Sequence, residues 1–243
     1  GRCYGFFGRN GAGKTTTLKC LLNLLRPQQG TIRVFGLDPV REEEAVKARL
    51  AYVPDFVAFY PWMRVGEALD YLASFRPRWN PDLERRLLGR FHLDPAAPTS
   101  GLSKGQRTQL ALIGAIAAEP ELLVLDEPTA GVDPAGSHQI RDLILQFKEQ
   151  GITVLLCSHL LSQVQEICDR IGILNEGALL LEGRVNELVS AHNQTEMLFE
   201  NATPEFLSEM ERRAAECGVR VVDRRMPQRD LERFFLEDTK NKS

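Results

Sequence analysis

The chain has 243 residues, 43% hydrophobic and 26% charged, the balance of an ordinary globular protein of one large or two modest domains. A formal net charge of −3 gives no general attraction to nucleic acid. The five cysteines contain no C-x-x-C pair, the four histidines have no metal-ligand spacing, and no apolar run approaches the roughly 20 residues of a membrane span; this excludes a disulfide framework and a membrane-spanning helix.

Cys3-Tyr4-Gly5-Phe6-Phe7 reads as a buried strand, and Leu18, Leu21, Leu22 and Leu25 place a helix after it, starting near Lys14. Thr31-Ile32-Arg33-Val34-Phe35 reads as a short strand between Gly30 and Gly36. Asp38-Pro39 opens a charged helix expected over 40–50, and Ala51-Tyr52-Val53 is another short strand, stopped by Pro54. From 55 to about 120 the texture is helical, with Val65, Leu69 and Leu72 on one face and Leu83, Leu87 and Phe91 on another. Leu122-Leu123-Val124-Leu125 is a continuous apolar run of the kind found in a central parallel strand. Asp133-Pro134 supplies an N-cap and a proline at the first helical position, and Gly151 ends that helix. A strand at 153–157, a helix through Val164 and Ile167, and a hairpin at 171–181 follow. Beyond Ser190 the sequence predicts a strand at 196–200, a helix at 204–217, a strand at 219–222 and a last helix at 230–238.

Three stretches carry chemistry. Gly8-Arg9-Asn10-Gly11-Ala12-Gly13-Lys14-Thr15 fits G-x-x-x-x-G-K-[ST], followed by Thr16. Its glycines let the backbone turn tightly and bring N–H groups against phosphate oxygens; Lys14 reaches the β- and γ-phosphates, and the Thr15 hydroxyl suits Mg²⁺. Asp126-Glu127 lies at the carboxyl end of its strand, where ligands of open α/β sheets collect. An Asp there holds Mg²⁺, and the adjacent carboxylate orients or deprotonates an attacking water. Leu102-Ser103-Lys104-Gly105-Gln106-Arg107 fits a capping box at a helix start, which reads either as a plain cap or as a second anion site.

Leu-Ser-Lys-Gly-Gln at 102–106 resembles the LSGGQ signature of ATP-binding cassette (ABC) proteins, with Lys104 for the usual first Gly. Ala130-Gly131-Val132-Asp133 resembles the family's D-loop, and His159 stands where its switch histidine does. Tyr52-Val53-Pro54-Asp55 resembles the Q-loop, with Asp55 for the usual Gln. Asp230-Leu231-Glu232-Arg233-Phe234-Phe235-Leu236-Glu237-Asp238-Thr239 resembles the C-terminal motif of many ABC-2-type exporter ATPases.

The resemblance implies an α/β P-loop NTPase of RecA-like type: a parallel sheet with helices on both faces, a helical insert and a small α+β C-terminal extension. The ATP-binding domain is expected over 1–190, with its core at 1–54 and 120–190 and the insert at 55–119; the extension is 191–243. The chain starts at Gly1, almost at the phosphate loop, so residues are expected before it. The family's mechanism implies two such subunits, identical or not, paired head to tail on ATP and Mg²⁺. Gly8 to Thr16 would hold the triphosphate, with Thr15, Asp126 and, through water, Asp55 at the metal. Ser103, Lys104, Gly105 and Gln106 would meet the γ-phosphate in trans. Glu127 would act on the water, His159 would sense the γ-phosphate, and Asp133 would couple the halves. The implied partner is a multi-span permease at the cytoplasmic face of the cell membrane, docked near Asp55 and the insert.

Two other functions compete. A soluble ABC-type ATPase acting on nucleic acid or ribosomes usually has a long coiled coil or two cassettes, and neither is present here, so no nucleic acid is expected. A binding module with a degenerate site is at odds with the intact Lys14, Thr15, Asp126, Glu127 and His159. Phe56, Phe59, Tyr60, Pro61 and Trp62 fit either a docking groove or packing of the insert, and Arg76-Pro77-Arg78-Trp79 fits either a partner contact or a packing turn.

Overall fold

The alternation of strands and helices closes into one six-stranded sheet in a computed structural model that describes residues 1–189, 197, 199 and 201–221. Its strands are β1 (Cys3–Gly8), β2 (Leu50–Val53), β3 (Leu122–Asp126), β4 (Thr153–Ser158), β5 (Arg170–Asn175) and β6 (Ala178–Arg184). They lie in the order β2-β3-β4-β1-β5-β6, parallel throughout except for β6, which returns antiparallel on β5. The helices are α1 (Lys14–Leu21), α2 (Glu43–Lys47), α3 (Val65–Ala73), α4 (Pro81–Arg90), α5 (Lys104–Ala117), α6 (Pro134–Glu149), α7 (Leu161–Ile167), α8 (Val185–Val189) and α9 (Pro204–Glu216).

The period of two in a strand sorts the apolar residues into two layers. Leu123 and Leu125 of β3, with Val154 and Leu156 of β4, pack under Ile113 of α5, Ile140 and Leu143 of α6 and Val164 of α7. Val124 and Cys157 point the other way, against Leu18 of α1 and Val46 of α2. Because both faces are covered, β3 reads as a continuous apolar run. Each buried aliphatic side chain contributes about 1.5–3 kcal/mol over exposure, which fixes the register.

Between β2 and β3 the described chain contains helices and no strand, as the texture at 55–120 implies. Asn80 caps α4 by accepting from the Leu83 N–H at 2.9 Å, with Pro81 following. At Gly114 the α3 and α5 helices approach so closely that an added Cβ would stand 2.6 Å from Leu72 Cδ1. The expected cap of α6 is also present: Asp133 accepts from the Gly136 N–H at 2.9 Å.

Three expectations are corrected. Residues 31–35 form no strand; only an isolated bridge joins Val34 to Leu37, because Phe35 and Gly36 both take positive φ (55° and 78°) and turn the run back on itself. The helix expected over 40–50 is only Glu43–Lys47. Its start is delayed by a turn in which the Asp38 carboxylate accepts from the Val40 N–H, and Leu50 already belongs to β2. Residues 219–221 are not a strand: α9 ends over Gly218 (φ 75°), and the Val219 N–H closes on the Ala214 carbonyl at 2.8 Å.

The chain divides into two units, Gly1–Val189 and Ser190–Ser243. In the second, α9 carries Phe206 in edge contact with Phe199, and Arg212 and Arg213 both pair with Glu209. Val222, His192, the helix at 230–238 with its exporter-like motif, and residues 196, 198 and 200 lie outside the described residues.

Candidate functional site

Parallel pairing brings the carboxyl ends of β1, β3 and β4 to one edge. Phe7 pairs with Ser158, and Asp126 with Cys157. The 8–15 loop, Asp126-Glu127 and His159 therefore meet, although they are far apart in sequence.

The loop is tight. Gly13 takes φ 103°, a left-handed conformation that a side chain would resist, and it starts α1 with no side-chain cap and no acid in the first turn. The first N–H groups of α1 are thus left for an anion. The Ala12 N–H donates to the Arg9 carbonyl at 3.1 Å, and the Gly177 N–H of the β5–β6 turn donates to the Ala12 carbonyl at 3.1 Å. At Gly8 an added Cβ would stand 2.8 Å from the Leu174 carbonyl oxygen. Lys14 is only 6% exposed; its ammonium donates to the Gly8 carbonyl at 2.6 Å and lies 3.3 Å from Glu127 Oε1.

Across the loop stand the two carboxylates. The Thr15 hydroxyl donates to Asp126 Oδ2 at 2.9 Å. Asp126 Oδ1 and Glu127 Oε1 are buried without a hydrogen-bond partner, although Glu127 has its ion pair with Lys14. Burial raises the pKa of Asp126, and the charges of Glu127 and Asp55 add to this; the Thr15 hydroxyl and Lys14 work the other way. The same field reaches its neighbours. Burial, then Asp126, pushes the Tyr52 phenol up to about 12, and the buried Cys157 thiol is raised by the same two causes. An under-satisfied carboxylate beside a hydroxyl offers oxygen donors of the kind a hard divalent cation takes. Among the described residues no group of three or more His, Cys, Asp or Glu forms an all-protein cage.

Glu127 has φ 51°, unusual for a side chain of its kind, and its N–H is tied to the Cys157 carbonyl at 2.9 Å. The turn aims its carboxylate at the loop. Oε2 lies 2.8 Å from His159 Nδ1 and 3.3 Å from the His159 N–H. A carboxylate only accepts, so in this contact Nδ1 carries the proton and donates. Lys14, Glu127 and His159 thus form one connected set.

Gln163 escapes sequence reasoning. Its Oε1 accepts from the Thr129 hydroxyl at 2.7 Å and stands 3.5 Å from the Ser158 hydroxyl, linking the segments that carry Glu127 and His159. The available signal is indirect: two buried hydroxyls at strand ends need a partner.

The 102–106 stretch is a capping box. The Gln106 N–H donates to Ser103 Oγ at 3.2 Å, and the Ser103 N–H donates to Gln106 Oε1 at 2.9 Å. Val132 of the 130–133 loop packs against Gly105. Asp55 is half exposed, its Oδ1 3.8 Å from Lys104 Nζ. Of the aromatics after it, Phe59 packs on the core, whereas Phe56 (79% exposed) and Trp62 (75%) face out with Tyr60, Tyr71 and Phe75. Tyr60 stacks on Trp62 at 4.7 Å and Tyr71 meets Phe75 edge-on at 5.0 Å. The 76–79 stretch is a packing turn: Arg76 donates to the Leu50 carbonyl at 2.9 Å and Trp79 to Glu84 at 2.6 Å.

A family model described as "ABC transporter" matches residues 1–130. The chain is 36% identical over 191 residues to the bacitracin transport ATP-binding protein BcrA of Enterococcus faecalis, covering 77% of this chain and 62% of that one. It is 33% identical over 227 residues to the daunorubicin/doxorubicin resistance ATP-binding protein DrrA of Streptomyces peucetius, covering 91% and 69%. It spans about three fifths of the length of several curated relatives. A solved ATP-binding subunit of an ABC transporter superposes with a TM-score of 0.71 at 29% identity, covering 77% of this chain and 80% of that one.

Proposed function

The chain belongs to the ABC transporter family, and on that premise we propose that it binds and hydrolyses ATP to power a separate membrane permease of the ABC-2-type exporter class. One observation carries the reading: Lys14, Glu127 and His159 are in contact at the mouth of the phosphate loop. Gly8, Arg9, Asn10, Gly11, Ala12, Gly13 and Thr16 line that loop or open its helix, and they hold the triphosphate by backbone N–H groups. A phosphate oxygen is a stronger acceptor for Lys14 than the Gly8 carbonyl, because the hydrogen bond is then charge-assisted on both sides. Thr15 and Asp126 hold Mg²⁺, which when bound neutralises charge on the β- and γ-phosphates. The Glu127 carboxylate takes a proton from the water whose oxygen bonds to the γ-phosphorus. The bond from that phosphorus to the bridging oxygen breaks, and ADP leaves with the electron pair. His159 holds Glu127 in place through Nδ1, and its other ring nitrogen, when protonated, is the one that would donate to the γ-phosphate.

The rest follows the family's arrangement. A second ATP-binding subunit brings Ser103, Lys104, Gly105 and Gln106 to the nucleotide in trans, and Asp133 couples the two. The domain layout is the core at 1–54 and 120–190, the helical insert at 55–119 and an extension at 191–243. The exposed Phe56 and the stacked Tyr60 and Trp62 form the docking face for the permease, exposed aromatic surface that solvent alone does not favour. No helix among the described residues is long and apolar enough to cross a membrane. The proposed attachment to the cytoplasmic face is through the permease.

The test is Glu127→Gln, which keeps shape but removes the base. Mg²⁺-dependent ATP turnover should fall on the order of a hundredfold or more while ATP still binds. Wild-type turnover in this variant would remove Glu127 from the mechanism.

A further inference from the structure

Glu127 is held against its own backbone preference. Its φ of 51° lies in the left-handed region, and a strained residue of this kind persists only where its surroundings over-determine it. The turn that follows it is closed by two backbone bonds: the Ala130 N–H donates to the Glu127 carbonyl at 3.0 Å, and the Val132 N–H to the Thr129 carbonyl at 3.1 Å. The turn that carries His159 is closed by the Leu160 N–H on Ser158 Oγ at 3.1 Å. The Glu127 N–H on the Cys157 carbonyl joins the two turns at their base. Further out they are joined by one side chain, Gln163.

Gln163 is carried by α7, which Val164 and Ile167 seat in the core, so its backbone is fixed by packing rather than by the turns it touches. Its Oε1 accepts from the Thr129 hydroxyl at 2.7 Å and lies 3.5 Å from the Ser158 hydroxyl. Thr129 is 8% exposed and Ser158 1%, so solvent is a poor substitute for the amide. Stability alone does not call for this arrangement, because apolar groups of the same shape at both ends of a buried hydrogen bond are nearly neutral. What the polar contact adds is direction. One hydroxyl is two residues from Glu127 and the other adjoins His159, and those two side chains meet at 2.8 Å.

We propose that Gln163 is a positioning residue for ATP hydrolysis: by clasping Thr129 and Ser158 it keeps the Glu127 carboxylate against His159 and aimed at the phosphate loop. Gln163 acts through Glu127 and not on the nucleotide. The proposal rests on the reading of Glu127 as the base. It separates the rate of the chemical step, which needs the clasp, from ATP binding, which needs only the loop and Lys14.

The experiment measures single-turnover hydrolysis of MgATP, and ATP affinity by titration, in Gln163→Leu, Gln163→Glu and Thr129→Val. Gln163→Leu should slow hydrolysis about tenfold and leave ATP affinity within about twofold. Gln163→Glu keeps an acceptor for both hydroxyls and should bring the rate back to within about threefold of wild type. Thr129→Val cuts the same bond from its other end, so it should match Gln163→Leu, and the two together should be no slower than either alone. In the Glu127→Gln background Gln163→Leu should slow the residual hydrolysis less than about twofold, since the group it positions is gone. Full turnover in Gln163→Leu or in Thr129→Val overturns the proposal. So does a tenfold loss that persists in the Glu127→Gln background, which marks a general loss of structure. Full turnover in Gln163→Leu beside a slow Glu127→Gln overturns this proposal alone. Full turnover in Glu127→Gln overturns the reading of Glu127 as the base, and the proposal with it.

Discussion

Two aspartates at opposite edges of the same sheet are treated in opposite ways. At the amino edge, Asp169 Oδ2 accepts from the Cys3 N–H at 2.7 Å and Oδ1 accepts from Lys148 Nζ at 2.7 Å. Burial pulls its pKa up, but Lys148 and the Cys3 N–H together outweigh it and hold the carboxyl below its ordinary range. At the carboxyl edge, Asp126 has one oxygen on Thr15 and one without a hydrogen bond, and burial leaves its pKa raised. Asp169 clamps α6, β1 and the start of β5, and its charge stabilises the fold. The charge of Asp126 destabilises it until something else arrives. Polar groups left short of partners beside a backbone strained at Glu127 mark the edge where ligand chemistry belongs.

The contrast can be broken most forcefully at Lys14. Lys14→Ala removes the cation from the phosphate loop and should weaken ATP binding on the order of 10–100-fold, measured by titration with a fluorescent ATP analogue. Unchanged affinity would mean that the loop's backbone alone holds the phosphates. A smaller effect is expected at the satisfied edge. Asp169→Asn should lower stability by about 1 kcal/mol in urea unfolding at neutral pH. Its sign against pH is fixed. A depressed folded-state pKa gives stability that is fully present above the ordinary Asp value of about 3.9 and is lost as pH falls through the folded value. The gap between variant and wild type should therefore narrow below about pH 4; a constant gap would assign the effect to shape rather than charge.

Legibility in the sequence follows the range of the interaction. The phosphate loop, the apolar run of β3, the cap at Asp133 and the capping box at Ser103 are each written within a few consecutive residues, and each is found in the structure. The run at 31–35 misleads because β-branched residues with the right period say nothing of a left-handed Phe35, which turns the chain before a strand can pair. Gln163 and the Asp55–Lys104 pair are contacts between distant segments, and no local pattern announces them. The 3.3 Å approach of the Cys3 and Cys168 thiols is of the same kind, set by where β1 and the end of α7 meet. The under-satisfied oxygens of Asp126 and Glu127 belong to a third class: the residue types are plain in sequence, but their shortage of partners appears only once the sheet is folded.

The central claim is that the carboxyl edge is left short of partners for a Mg²⁺–nucleotide, and Asp126→Asn tests it most directly. A raised folded-state pKa means that the ionised carboxylate costs stability, in full above the folded value. The variant removes that charge and also the carboxylate proposed to hold Mg²⁺. Thermal unfolding at neutral pH should then place Asp126→Asn about 3–6 °C above wild type without nucleotide. With MgATP the wild type should gain more than the variant, closing or reversing the gap. A variant that melts below wild type without nucleotide, and gains as much from MgATP, would contradict the account.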